Sequence, residues 1–176
     1  MKRCILMAGL FLTASTMAET MPYWSWSAGH LFEQDIDVSN EFSSGEESVD
    51  DGYVIEVAVG AMRTDVPVGY EVALAYKEQG DIDIWDLFLN GTYTFNPSSA
   101  DTPIYGLIGI GLMDVDGSIG DTVWAGQVGA GIRFPKDECT CWDLEYKYLF
   151  AEQLKDGPQR ANLEHHTLQL GMTYMY

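Results

Sequence analysis

The sequence has few basic residues, few cysteines and no long apolar run, and each scarcity excludes a class of protein. Nine Lys and Arg stand against 27 Asp and Glu, for a net charge of −18. This balance argues against binding to nucleic-acid phosphates and against flat docking on anionic lipid without bridging divalent cations. No apolar stretch reaches the roughly 20 residues that a transmembrane helix needs, so a helical membrane protein is excluded. One domain is expected at 176 residues.

The three cysteines are too few for a disulfide framework. Cys4 has no lipobox-like small residues ahead of it, so a lipoprotein is not indicated. Cys139 and Cys141 are two residues apart, and a bridge between them would close a tight, strained ring, although an oxidising compartment would favour it. The sequence leaves their redox state open. It predicts no metal site there, because no His or further Cys is near.

The first 18 residues have the pattern of a secretory signal peptide. Lys2 and Arg3 form a basic n-region, residues 4–13 form a short apolar h-region, and residues 14–18 supply a small-residue cleavage site that ends at Ala18. Residues 1–18 are therefore predicted to be removed on export, which makes the remaining domain, residues 19–176, two units more negative than the full chain.

In the rest of the chain, apolar residues alternate with small or polar ones in eight segments of about ten residues. The last is the most informative, with Leu168, Leu170 and Met172 on one face and Thr167, Gln169, Gly171 and Thr173 on the other. Period-2 alternation is typical of a strand with one apolar and one polar face. The predicted strands are 23–32, 53–62, 69–77, 84–95, 104–113, 123–134, 142–150 and 167–176.

Two folds are compatible with such strands: a soluble β-sandwich with an apolar core, or a closed barrel with its apolar face in lipid. Aromatic residues near the strand ends favour the barrel, since they suit interfacial girdles. These residues are Tyr23, Trp24, Trp85, Tyr93, Trp124, Trp142, Tyr146, Tyr174 and Tyr176. The connections also alternate in length. Short turns at 63–68, 96–103 and 135–141 lie on one side, and the segments 33–52, 78–83, 114–122 and 151–164 lie on the other. We therefore predict an all-β, eight-stranded antiparallel transmembrane up-and-down β-barrel with both termini in the periplasm.

In such a barrel the charged residues of the polar faces point inward, where charges must pair to be tolerated. These residues are Glu56, Glu71, Lys77, Asp86, Arg133, Asp143, Glu145 and Lys147. Arg133 and Asp143 flank one turn symmetrically, and Lys77 and Asp86 flank another, so each is predicted to be a pair. Because eight strands leave little lumen, the charges are predicted to form a structural plug rather than an ion pathway.

No catalytic, cofactor or metal residues are predicted. A nucleophilic site needs a hydroxyl beside a His that a carboxylate orients, and neither His30 nor the adjacent His165 and His166 has a suitably placed serine. The two adjacent histidines are predicted to be a polar pair at the membrane interface. Residues 114–121 superficially resemble a calcium loop but lack its final bidentate Glu, so an acidic turn is predicted.

Three glycine- and tyrosine-rich stretches carry a family resemblance. They are the glycine-rich fifth strand at 104–111, the G-x-G-x-x-F pattern within 126–134 and L-E-Y-K-Y at 144–148, followed by a last strand that ends on an aromatic residue. In these stretches the chain resembles the small outer-membrane β-barrel superfamily that includes opacity-type surface proteins, OmpX and the OmpA membrane domain. The first half of the chain resembles it only by pattern. The resemblance implies an outer-membrane location and recognition by the barrel assembly machinery through Tyr174 and Tyr176.

The expected protein is thus a monomeric, non-enzymatic outer-membrane barrel of a Gram-negative bacterium with a structural or surface-interaction role. Its acidic extracellular loops would contact a host, a neighbouring cell or, through divalent cations, lipopolysaccharide. The first loop, predicted to be mobile, holds eight carboxylates: Glu33, Asp35, Asp37, Glu41, Glu46, Glu47, Asp50 and Asp51. Two alternatives remain, a narrow channel for small or apolar solutes and a lipid A-modifying enzyme.

Overall fold

The computed structural model describes residues 20–32, 34–40, 43–49, 51–80, 82–95, 102–116, 121–151, 154–156, 159–161 and 164–176. The predicted signal peptide lies outside these residues, so its removal stays a prediction. The strands are β1 (Thr20–Leu31), β2 (Gln34–Asn40), β3 (Ser43–Val49), β4 (Gly52–Arg63), β5 (Val68–Gln79), β6 (Ile82–Thr94), β7 (Ile104–Asp116), β8 (Asp121–Pro135), β9 (Thr140–Ala151), β10 (Leu154–Asp156), β11 (Gln159–Ala161) and β12 (Glu164–Met175). No helix in the described ranges is long and apolar enough to cross a bilayer.

Eight strands close into an antiparallel barrel in the order β1-β12-β9-β8-β7-β6-β5-β4. Their 12 to 15 residues suffice to cross a bilayer at a tilt, which needs about 9–11. Alternation along β6 shows how the sequence produces the two faces: Ile84, Asp86 and Phe88 are buried inside, whereas Trp85 and Leu87 are exposed outside. The predicted fold class is confirmed.

The C-terminal strand is the seam of the barrel. β12 pairs with β1 along nine residues, from Tyr23 opposite Met175 to Leu31 opposite Thr167. The rings of Trp24 and Tyr174 stack across this seam with centroids 4.7 Å apart. The strand begins at Glu164, three residues earlier than predicted, and this extension brings His165 and His166 into the barrel wall.

The two rims differ in structure. One rim, here called the terminal rim, carries both ends of the barrel and the short turns between β4 and β5, β6 and β7, and β8 and β9. In the last of these turns the backbone N–H of Cys139 donates to the Asp137 carboxylate at 3.0 Å, which holds the pKa of Asp137 below its usual range.

The opposite rim, called the loop rim, carries the remaining connections. Among them, β5 and β6 join in a tighter turn than predicted, at Gly80, whose φ of 61° favours glycine.

A second sheet, in the order β10-β11-β2-β3, forms from two connections of the loop rim. The segment 33–52, predicted to be a mobile loop, therefore contains strands β2 and β3, while its mobility stays a prediction. Its β2 has the same period-2 pattern as the barrel strands, with Ile36 and Val38 alternating with Asp35 and Asp37. The high acidity of the segment hid this pattern, since charged stretches usually indicate loops.

Tyr23 corrects the predicted aromatic girdle. Its ring is buried inside the barrel, and its hydroxyl donates to Glu71 at 2.6 Å. The parity of β1 explains this, because Tyr23 shares a face with Ser25 and Ser27. The other eight girdle residues have exposed or half-exposed rings.

The two cysteines of the terminal rim are thiols, Cys139 partly exposed and Cys141 buried. We expect a thiol reagent to modify Cys139 in the folded barrel and to leave Cys141 unmodified until the protein unfolds. Mass spectrometry of native and denatured samples measures both counts, with Cys141→Ser as the control. Equal labelling of both cysteines in the folded protein would contradict this burial. A third reactive thiol after denaturation would show that Cys4, and hence the signal peptide, is retained.

Candidate functional site in the barrel interior

The interior is divided along its axis. Near the loop rim, seven buried apolar side chains from β6, β7, β8 and β9 pack together and form what we call the apolar plug. Its members are Ile84, Phe88, Met113, Val115, Val123, Ala125 and Leu149. Towards the terminal rim the interior is polar and charged. This polar part is the charged layer, and one further ion pair, Lys77 with Asp86, lies at the level of the plug, since Lys77 is opposite Ile84.

Lys147 is the centre of the charged layer. Its ammonium lies 2.7 Å from both carboxylate oxygens of Glu56 and 2.8 Å from Glu145, and its side chain is 4% exposed. β9 carries Lys147 and Glu145 on the same inward face, and β4 brings Glu56 from across the lumen. Charges at this depth are tolerated only when paired, and here two carboxylates share one cation.

The predicted pair of Arg133 and Asp143 is confirmed. The two residues are directly opposite on β8 and β9, with 2.7 Å between Arg133 Nε and the carboxylate. Thr173 donates to the other carboxylate oxygen at 2.6 Å. The guanidinium also lies over the ring of Tyr105, 4.9 Å from its centroid, and the Tyr105 hydroxyl donates to Glu145 at 2.8 Å. The sequence reasoning did not include Tyr105, although its inward parity on β7 was available as a signal.

Neutral donors satisfy Glu71. Besides the Tyr23 hydroxyl, the Asn90 amide donates to it at 2.9 Å, and Gln127 donates in turn to Asn90 at 2.7 Å. This chain of hydrogen bonds crosses β5, β6 and β8. It links the inward faces of these strands to one another, and the pairing of neighbouring strands alone does not reveal these links.

The second predicted pair, Lys77 with Asp86, is also confirmed, and both side chains are almost fully buried. Only one Asp86 oxygen is satisfied. Oδ1 has no hydrogen-bond partner among the described residues, and the same is true of both ring nitrogens of the buried His165.

The interior holds little free space. Two cavities of about 10 and 30 Å³ lie among the charged side chains. Such volumes accept one or a few water molecules. Around these two cavities the lumen of the described barrel is filled by ion-paired side chains.

The two adjacent histidines do not act as a pair, which corrects the prediction. Strand alternation places His165 inside and His166 outside. On the outer face, His166 Nδ1 lies 2.5 Å from the Tyr146 hydroxyl, and Tyr148 donates to Glu164 at 2.5 Å. His30 lies 3.3 Å from Asp51. The hydroxyl that reaches His166 is thus a phenol, not the serine of a hydrolytic triad.

The acidic turn at 114–121 is described only in part. Asp114 accepts a hydrogen bond from the Thr122 hydroxyl at 2.6 Å, and residues 117–120 lie outside the described residues. This contact across the ends of β7 and β8 fits a closed hairpin.

The family model of the outer membrane protein beta-barrel domain matches residues 4–175. The chain belongs to this family. No curated protein sequence matches it. Membership of this family implies an outer-membrane location.

Solved structures of other outer-membrane barrels are similar in fold. Neisserial surface protein A is 13% identical, covers 88% of this chain and 97% of its own, and has a TM-score of 0.65. The N-terminal β-barrel domain of Pseudomonas aeruginosa OprF is 15% identical, with coverages of 88% and 97% and a TM-score of 0.54. The outer membrane enzyme PagL is 12% identical, with coverages of 86% and 98% and a TM-score of 0.52. At these identities the likeness shows the fold alone.

Interior packing around Tyr105 gives a prediction for this outer-membrane barrel. A Cβ at Gly131 would overlap the Tyr105 ring, so we expect Gly131→Ala to displace the ring from Glu145 and to destabilise the fold by about 1–3 kcal/mol. Urea unfolding in detergent micelles measures the difference. The control is Gly91→Ala, where the nearest atom is 3.9 Å away and little change is expected. Equal stabilities of the two variants would contradict this packing.

Proposed function

We propose that the protein is a non-enzymatic, monomeric outer-membrane surface protein with a structural or surface-interaction role carried by acidic extracellular loops. The observation that carries the proposal is the contrast between the filled lumen and the additional sheet at the loop rim. The lumen is filled by the apolar plug and by ion pairs, whereas two connections at the loop rim continue as a four-stranded sheet. A filled barrel is suited to anchoring, and an ordered sheet beyond its rim is suited to contact.

The charge of these connections suggests the chemistry of the partner. In the proposed orientation the loop rim faces outward and the terminal rim faces the periplasm. Residues 33–51 then present eight carboxylates and no Lys or Arg. A surface of this sign repels the phosphates of lipopolysaccharide unless divalent cations join the two. It can also attract cationic partners on a host or a neighbouring cell.

Export and assembly complete the proposal. Residues 1–18 act as the signal peptide, and the C-terminal strand, through Tyr174 and Tyr176, is recognised by the barrel assembly machinery. The pairing of β12 with β1 supports this role. Only when this last strand pairs with the first does the sheet have no unpaired edge strand.

Binding to lipopolysaccharide vesicles tests the function. The purified barrel in nanodiscs should bind the vesicles with Mg²⁺ present and should be released by EDTA. A variant with Asp35→Asn, Asp37→Asn, Glu46→Gln and Glu47→Gln should lose most of this binding. The matched control, Asp65→Asn and Asp137→Asn at the terminal rim, should keep it. Binding that survives EDTA and the loop substitutions would contradict the cation bridge.

Because the lumen is filled, we expect the protein not to act as a channel. In planar bilayers and in liposome-swelling assays we expect no conductance and no solute uptake above the protein-free level. A reproducible single-channel current would favour the narrow channel instead.

Two observations favour an enzymatic function: the similarity in fold to PagL and the outward position of His166. We expect lipid A from cells that express the protein to keep its acyl pattern in mass spectrometry. Loss of an acyl chain, abolished by His166→Leu, would favour the lipid A-modifying alternative.

A further inference from the structure

His165 is a buried, titratable side chain that the anchoring role leaves unused. It lies at the start of β12, directly opposite Leu149 of the apolar plug, and is 1% exposed. Both of its ring nitrogens lack a hydrogen-bond partner among the described residues. Buried polar groups are nearly always bonded, so a native protein that leaves one unbonded needs a reason to keep it.

The charges around His165 come from several strands. Lys77 of β5 is the charged group whose field acts on it from across the lumen, and Asp86 of β6 is already paired with this lysine. Lys147 of β9 lies opposite Thr167 and is held by Glu56 and Glu145. Leu31 of β1 and Leu149 of β9 supply apolar surface. β2 approaches β12, whereas His166 and Glu164 face outward.

We propose that His165 is a proton-operated latch of the apolar plug, neutral when the loop-rim end is closed and released when acid protonates it. This inference goes beyond the anchoring role. Protonation would create a second buried cation in the field of Lys77, and burial opposes an uncompensated charge. At neutral pH the neutral ring packs with Leu149 as part of the seal.

The sign of the pH effect follows from linkage. An imidazole in an unfolded or opened chain takes up a proton at about pH 6.5, whereas the closed interior resists it. The closed state therefore keeps its full stability above about pH 6.5 and loses stability as the pH falls below it. For one group the ratio of closed to open molecules falls by up to about tenfold per pH unit.

The experiment compares the pH dependence of urea unfolding for the wild type and His165→Leu in detergent micelles between pH 8 and pH 4.5. Wild type should lose up to about tenfold in its folded-to-unfolded ratio per pH unit below pH 6, relative to His165→Leu. His166→Leu, which removes the adjacent outward histidine, should retain the wild-type dependence. Should His165→Leu fail to fold, His165→Gln supplies a neutral polar replacement with the same expected flat profile.

A second measurement locates the opening. In a background with Cys139→Ser and Cys141→Ser, Val115→Cys reports on the plug and Leu107→Cys reports on a buried interior position nearer the terminal rim of the same strand. Acid should raise the alkylation rate of the first relative to the second, and His165→Leu should abolish this rise. The latch is overturned if His165→Leu keeps the wild-type pH dependence, if His166→Leu removes it, or if both cysteines react together because the whole barrel unfolds.

Discussion

Lys147→Met is expected to destabilise the folded barrel by about 3–5 kcal/mol, because it leaves two buried carboxylates facing each other without a cation. Glu56 and Glu145 each lie within 2.8 Å of the Lys147 ammonium, inside a wall of strands that excludes bulk water. Methionine keeps roughly the volume and flexibility of the lysine stem, so the expected loss is electrostatic. Urea unfolding in lipid vesicles, followed by the mobility of unboiled samples on gels, measures it.

Two controls separate the charge effect from a general defect. Arg63→Ala breaks the exposed pair with Asp65 at the terminal rim and should cost no more than about 1 kcal/mol. Adding Glu56→Gln and Glu145→Gln to Lys147→Met should recover most of the lost stability, since the remaining groups are neutral. A single Lys147→Met variant as stable as wild type would show that the interior carboxylates do not depend on this lysine.

Ile110→Lys is expected to destabilise the barrel in lipid by about 2–4 kcal/mol, because it places a charge on the outer face at the bilayer midplane. Ile110 is the central residue of β7 and its side chain is 59% exposed. That exposure is favourable only when the surroundings are hydrocarbon. In a soluble β-sandwich an exposed Ile would accept lysine readily, so the substitution also distinguishes the two folds that the alternation permits.

The matched control lies on the same strand and the same face. Ile104→Lys is at the first residue of β7, near the membrane interface, and should cost only about 0–1 kcal/mol. Unfolding of both variants in vesicles of one lipid composition gives the comparison. Equal costs at the two positions would contradict a membrane centred on the middle of β7.

Much of the wall of the barrel could be predicted from the sequence. Period-2 alternation is a local property, since successive side chains of a strand point to opposite faces whatever the strand pairs with. Leu87 and Leu89 outside and Asp86 and Asn90 inside could therefore be assigned correctly. Tyr23 follows the same rule, because it shares the inward face of β1 with Ser25 and Ser27, and its aromatic character near a strand end does not override that parity.

The sequence by itself determined the eight barrel strands, which face of each is apolar, and the pairs that flank a turn, such as Arg133 with Asp143. Only the tertiary structure decided which residues meet across the lumen. Lys147 and Glu56 are far apart in the chain, and curvature of the closed sheet brings them together, so no spacing rule reports the contact. The same closure buries His165 without a hydrogen-bond partner among the described residues and brings β11 beside β2. Local patterns carry no information on distances across a closed barrel, which depend on strand number and stagger.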